Sequence, residues 1–152
     1  QFLLGRFEVN ASKFYEGYKY NNEYFEGKPV KRMSLISENI LRALDYGAIK
    51  ARRNENWEYV SDRLSKYNGL KPVKSEAPFA YPLLISDGMK TKKRLADKLV
   101  YLPTLWPNVI KECPVGTVEH EYAANILPIP VDQRYSLENM NAMCKIIEDE
   151  IR

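Results

Sequence analysis

Histidine occurs once and cysteine twice among 152 residues. Cys113 and Cys144 have no C-x-x-C partner and no histidine at ligand spacing, which excludes the common structural zinc arrangements. They read as two reduced thiols in a cytosolic compartment. No apolar run approaches the roughly 20 residues of a membrane-spanning helix. No glycine-rich phosphate loop, dinucleotide fingerprint or G-x-S-x-G turn occurs. A net charge of +3 is too small to argue for nucleic acid, and no groove-binding motif accompanies it. The chain opens on QFLLGRFEV, without Met, a charged n-region or a small-residue cleavage site. It therefore reads as part of something longer and not as a signal peptide. Asn10-Ala11-Ser12 fits the glycosylation sequon, but nothing else points to secretion.

What is present is an ordinary globular composition, 45% hydrophobic and 28% charged. A chain of this length buries roughly 68–70% of its unfolded surface, enough for a packed core. The first 31 residues interleave Tyr and Phe with Asn, Lys and Glu. Phe14, Tyr18 and Phe25 are expected to pack one side of short helical pieces that Gly17, Gly27 and Pro29 interrupt.

Ser34 is placed to cap a helix whose apolar stripe is Ile36, Ile40, Leu41 and Leu44. Asp45-Tyr46-Gly47 interrupts it. A second, longer stripe follows through Ile49, Trp57, Val60, Leu64 and Tyr67. Its other face carries Lys50, Arg52, Arg53, Glu55, Glu58, Asp62 and Arg63, read as solvated. The expected stop is a left-handed cap at Asn68-Gly69. A helix of that length is expected to link two packing units.

Beyond residue 78 the order is strand, helix, strand, loop, strand, helix. The expected strands are Phe79–Ser86, Leu99–Trp106 and Asn125–Val131. Pro82 removes an amide and so calls for an edge or a bulge. The intervening helix, capped by Asp87, is expected to turn Met89, Leu95 and Leu99 inward and Lys90, Lys92, Lys93 and Arg94 outward. Ser136 caps a last helix with Leu137, Met140, Met143, Ile147 and Ile151 as its core stripe. The expected class is α/β (α+β): a small-domain sheet of about three strands with helices on one face, preceded by a long interdomain helix. The expected domains are 1–69 and 70–152.

The search for chemistry finds little. Glu119-His120-Glu121 offers acid–base groups. In an extended segment, however, neighbouring side chains point to opposite faces, so the three do not converge. His120 is expected to be an exposed, ordinary histidine. No serine has a base beside it.

Two stretches carry a resemblance. "RMSLISENILRALDYGAIKARRNENWEYVSDRL", residues 32–64, resembles the segment that follows the cofactor lysine in sugar-modifying aminotransferases of the DegT/DnrJ/EryC1/StrS family, which are pyridoxal-phosphate (PLP) enzymes of fold type I. "YLPTLWP" followed by "ILPIPVDQRYSLENM" and a final helix is similar to that family's small-domain ending. Residues 1–31 match only loosely. The resemblance implies a C-terminal portion of an enzyme acting on a nucleotide-linked keto-sugar in polysaccharide or lipopolysaccharide precursor synthesis. The cofactor lysine lies upstream, so this chain is not catalytic alone and holds no tightly bound PLP.

The resemblance further implies a large domain before this region, a homodimer partner, a nucleotide-sugar substrate and an amino-acid donor. It implies no nucleic acid, no membrane and no metal. Arg32 and Ser34 would reach the neighbouring subunit's PLP phosphate, with Arg32 standing where the family often has Asn. Leu105 and Trp106 would border the substrate pocket, Leu105 standing where the family often has His. Asp132, Gln133 and Arg134 are expected to fix the turn into the last helix. The competing reading is a free-standing α/β module that binds a ligand or a protein and catalyses nothing.

Overall fold

A computed structural model describes residues 17, 20, 21, 23–25 and 27–151. Phe14, Tyr18 and the sequon lie outside the described residues. The contacts divide the chain into two compact units, Gln1–Leu44 and Asp45–Arg152. The long helix, expected to run between two packing units, belongs to the second.

In the first unit, helix α1 spans Leu35–Arg42. Ser34 Oγ accepts the Ser37 amide at 3.1 Å, as the sequence predicts, and Glu38 pairs with Arg42 one turn on. None of its residues is buried. Ile36 is 74% exposed and Ile40 60% exposed, so these two members of the apolar stripe are largely uncovered among the described residues.

The second unit opens with Asp45, whose carboxylate takes the Ala48 amide at 2.9 Å and starts helix α2, Tyr46–Leu64. Tyr46 and Gly47, expected in a break, lie inside its first turn. Trp57, Val60 and Leu64 bury the inner face, each contributing roughly 1.5–3 kcal/mol in apolar burial. A short 3-10 turn, Ser65–Tyr67, follows. Asn68 then leaves in extended geometry, φ −88° and ψ 119°, and not through the expected left-handed cap.

The remaining elements are β1 (Ala80–Leu84), α3 (Gly88–Asp97), α4 (Pro107–Glu112), α5 (Val118–Asn125), β2 (Ile126–Pro130) and α6 (Leu137–Ile151). The unit is thus α+β, as expected, but its sheet has two strands among the described residues and not three. β1 and β2 are antiparallel, with Tyr81 opposite Ile129, Pro82 opposite Pro128 and Leu83 opposite Leu127. Tyr81, Leu83, Leu127 and Ile129 form the inner face. Helices α2, α3 and α6 close over a core that also takes Leu95, Val131, Met140, Cys144 and Ile147.

The prolines sit where the ladder tolerates them. Leu84 directs both main-chain groups away from β2: its carbonyl accepts from the Gly69 amide at 2.9 Å, and its amide donates to Asn68 Oδ1 at 2.9 Å. Antiparallel pairs alternate between facing the partner and facing away. Pro82, Pro128 and Pro130 share the outward parity of Leu84, so none removes a bond between the strands. Asn68 also donates to the Pro82 carbonyl at 2.8 Å. One carboxamide thereby serves as a peptide unit against the outer edge of β1.

The expected strand Leu99–Trp106 is irregular. Leu99 takes a left-handed φ of 63° at the end of α3, and the Val100 amide returns to the Leu95 carbonyl. Pro103 lacks an amide, and β2 offers carbonyls but no free amide on its outer row, so a ladder cannot form there.

Helix α3 is rotated from its expected orientation. Gly88, Thr91, Lys92 and Leu95 are buried, while Met89 and Leu99 are exposed. The cause is a close approach: a Cβ on Gly88 would lie 2.4 Å from Asn125 Cα. Only glycine lets α3 settle there, and that contact turns Lys92 inward. His120, expected exposed in an extended segment, is buried in the first turn of α5, where Thr117 caps the helix through the His120 amide.

Candidate functional site

Three places hold the residues that could do chemistry. The first is the head of α1. Arg32 is exposed and has no hydrogen-bond or ion-pair partner among the described residues. Ser34 is committed to the helix cap, accepting from the Ser37 amide and donating to Ser37 Oγ at 3.0 Å. Arg32 therefore suits a phosphate as a free guanidinium fork, whereas Ser34 acts there by holding the cap.

The second is an open groove of about 250 Å³ on the outer face of the sheet, lined by Trp57, Val73, Ser75, Phe79, Pro82, Leu105, Ile126 and Pro128 among others. Small-molecule sites begin at roughly 300 Å³, so this groove lies below the usual size of one. Leu105 lies in it. Trp106 does not line it; its backbone is left-handed, φ 51° and ψ 59°, at the start of α4, and its indole is 63% exposed. Such a backbone costs a non-glycine residue about 1–3 kcal/mol. The structure thus separates the two residues expected at the substrate pocket: one anchors, the other is presented to solvent.

The third is the turn from β2 into α6. Asp132 accepts from the Arg134 amide and holds its guanidinium at 2.8 and 3.0 Å. This pairing keeps the Asp132 carboxyl below its ordinary range. Asn56, fully buried on α2, points Nδ2 at the carbonyls of Asp132 and Tyr135, both at 3.1 Å, and of Val131 at 3.4 Å. Arg53 reaches Gln133 Oε1 at 2.9 Å and the Ala77 carbonyl at 3.4 Å. Asn54 accepts the Ala77 amide at 3.1 Å, where Ala77 itself is left-handed. The turn is fixed, as expected, and most of its polar groups are consumed in fixing it; Asn56 Oδ1 stays buried without a hydrogen-bond partner among the described residues.

The sequence reading missed these α2 residues by assigning Arg53 and Arg63 to a solvated face. Arg63 instead grips Glu148 of α6 with two bonds, 3.1 and 2.6 Å, and takes Asn141 Oδ1 at 3.0 Å. The available signal was Asn56, a polar residue in register with Val60 and Leu64 on the buried stripe.

Two further nitrogens, Lys92 Nζ on α3 and His120 Nδ1 on α5, are each buried without a hydrogen-bond partner. Burial lowers the Lys92 pKa. Both atoms are shut off from solvent, which denies them to a substrate. Among the described residues no group of His, Cys, Asp and Glu is arranged to hold a metal ion, and no helix is long and apolar enough to cross a membrane.

No protein family, no curated protein and no solved structure matches the chain.

Proposed function

We propose that this chain is the C-terminal region of a PLP-dependent aminotransferase acting on a nucleotide-linked keto-sugar, and that it performs no transamination by itself. The observation that carries the reading is α1: a capped helix directly after Arg32-Met33-Ser34, with Ile36 and Ile40 of its apolar stripe largely exposed and no residue of the helix buried. A large domain preceding this region would cover that stripe. The motifs quoted above place the cofactor lysine upstream, and the lysines described here are exposed, ion-paired or, for Lys92, sealed.

In this reading PLP supplies the electron sink for the chemistry. This chain supplies positioning. Arg32 binds phosphate across a dimer interface, and Ser34 holds the helix start behind it. Leu105 and Trp106 border the sugar. The compartment is cytoplasmic. Arg32→Ala in the full polypeptide then weakens PLP binding tenfold or more, since a hydrogen bond to a charged group contributes roughly 1.5–3 kcal/mol. Equilibrium dialysis measures it, and unchanged affinity removes Arg32 from the site.

One observation favours a second reading, a free-standing binding module: residues 45–152 enclose a core of their own. The coding sequence upstream of Gln1 separates the two. The first requires some 200 further codons, roughly the rest of a large domain by domain-size scaling, with a lysine in a Ser-x-x-Lys-like context.

A further inference from the structure

The sheet is closed to further strands on both edges, by two different devices. On the β1 side the outward row is occupied: Gly69 donates to Leu84, and Asn68 serves both Leu84 and Pro82. On the β2 side the outward row is Ile126, Pro128 and Pro130. The two prolines carry no amide, and the Ile126 amide already donates to the Tyr122 carbonyl as α5 ends. That row therefore presents carbonyl oxygens and no donor. An incoming strand needs acceptors and donors in alternation, as every ladder does. No main-chain hydrogen bond runs from residues 99–106 to β2, although Leu105 lies in the same groove as Ile126 and Pro128.

We infer that Pro128 and Pro130 act as guards that keep β2 from pairing with a strand of a second copy of this chain. An edge strand with open donors and acceptors templates such pairing, and proline is one of the residues that blunts it. The guard is needed here because the strand is strongly apolar: Leu127 and Ile129 flank Pro128, and the short sequence ILPIPV would be a β-prone segment without its prolines. Pro82 has the same parity but a different place, since the segment 68–70 already lies along its edge. Only the β2 prolines should therefore control self-pairing.

The experiment uses the full chain and three variants: Pro128→Val/Pro130→Thr, Pro130→Thr alone, and Pro82→Val. Each is followed by light scattering, thioflavin T fluorescence and circular dichroism over a concentration series. The double variant is expected to form thioflavin-positive, concentration-dependent assemblies that the parent does not form. Pro130→Thr, at a half-buried position, is expected to retain the parent's dichroism and to assemble more slowly. Pro82→Val is expected to stay free of thioflavin signal. If the double variant fails to fold, Pro130→Thr decides. A folded Pro130→Thr or double variant as free of thioflavin-positive assembly as the parent overturns the inference, as does equal assembly by Pro82→Val.

Discussion

Helices α1 and α6 both begin at a serine whose hydroxyl accepts a first-turn amide, at 3.1 Å for Ser34 and 3.3 Å for Ser136. Both carry an apolar stripe at spacings of three and four. In α6 that stripe is the core: Met140, Cys144 and Ile147 are fully buried, and Arg63 clamps Glu148 beside them. In α1 the corresponding side chains, Ile36 and Ile40, are exposed, as is Leu44 just beyond its end. Local sequence chemistry starts a helix and makes it two-faced, but it does not provide the surface that the apolar face needs. Most helical stability comes from that surface and not from propensity. For α6 that surface lies within its own unit; for α1 none is found among the described residues.

The largest test of that contrast substitutes one isoleucine in each helix. Ile147→Ala should cost about 2–5 kcal/mol, the range for truncating a buried isoleucine. Ile40→Ala should stay within about 0.5 kcal/mol, as for an exposed position. Urea melts of the two variants measure both. Equal losses would mean that α1 is covered after all.

The interior of α6 can also be read by pH. Burial pushes the Cys144 thiol from 9.0 up to about 11. The folded state thus favours the neutral thiol, and the stability it contributes is whole below pH 9. That contribution is lost as pH rises from 9 to about 11. The loss is of order 2–3 kcal/mol, from about 1.4 kcal/mol per pKa unit. Cys144→Ala should lie lower in stability at neutral pH and fall less steeply across that window. Parallel slopes would remove Cys144 from the alkaline transition.

Asn68 sharpens the comparison outside the helices, because its carboxamide closes the β1 edge. Asn68→Ala leaves the Leu84 amide without its partner, which costs about 1–3 kcal/mol. Faster exchange of the Leu84 amide identifies the cause, and unchanged exchange contradicts it.

The smallest effects come from the caps. Ser136→Ala should lower the stability of the 45–152 unit by about 1 kcal/mol. Ser34→Ala should fray α1, seen in its amide exchange, and leave the melt of that unit unchanged. A shifted melt in Ser34→Ala would couple α1 to the core.

Much of this fold was legible in the sequence because it follows from local rules. The caps at Ser34 and Ser136, the stripe through Trp57, Val60 and Leu64, and the two proline-bearing strands all appear where periodicity and side-chain chemistry put them. What was not legible depends on contacts distant in sequence. The inward turn of Lys92 follows from the approach of Gly88 to Asn125. The missing third strand follows from the outward parity of Pro128 and Pro130 combined with Leu99's left-handed backbone. The buried place of His120 required Thr117 to start a helix in what read as a polar loop. At the candidate site, Arg32 has no partner among the described residues, and the Asp132–Arg134 turn is held as expected. The uses of Arg53, Asn56 and Arg63 emerged only once residues some 80 positions apart were brought together.

The proposed function stands or falls on where the cofactor is anchored. The polypeptide encoded by the whole reading frame, saturated with PLP, reduced with borohydride and digested, should yield one pyridoxyl-lysine per chain on a lysine upstream of Gln1. Residues 1–152 should carry none in stoichiometric amount. A single stoichiometric pyridoxyl-lysine within residues 1–152, or none anywhere in the polypeptide, would contradict it.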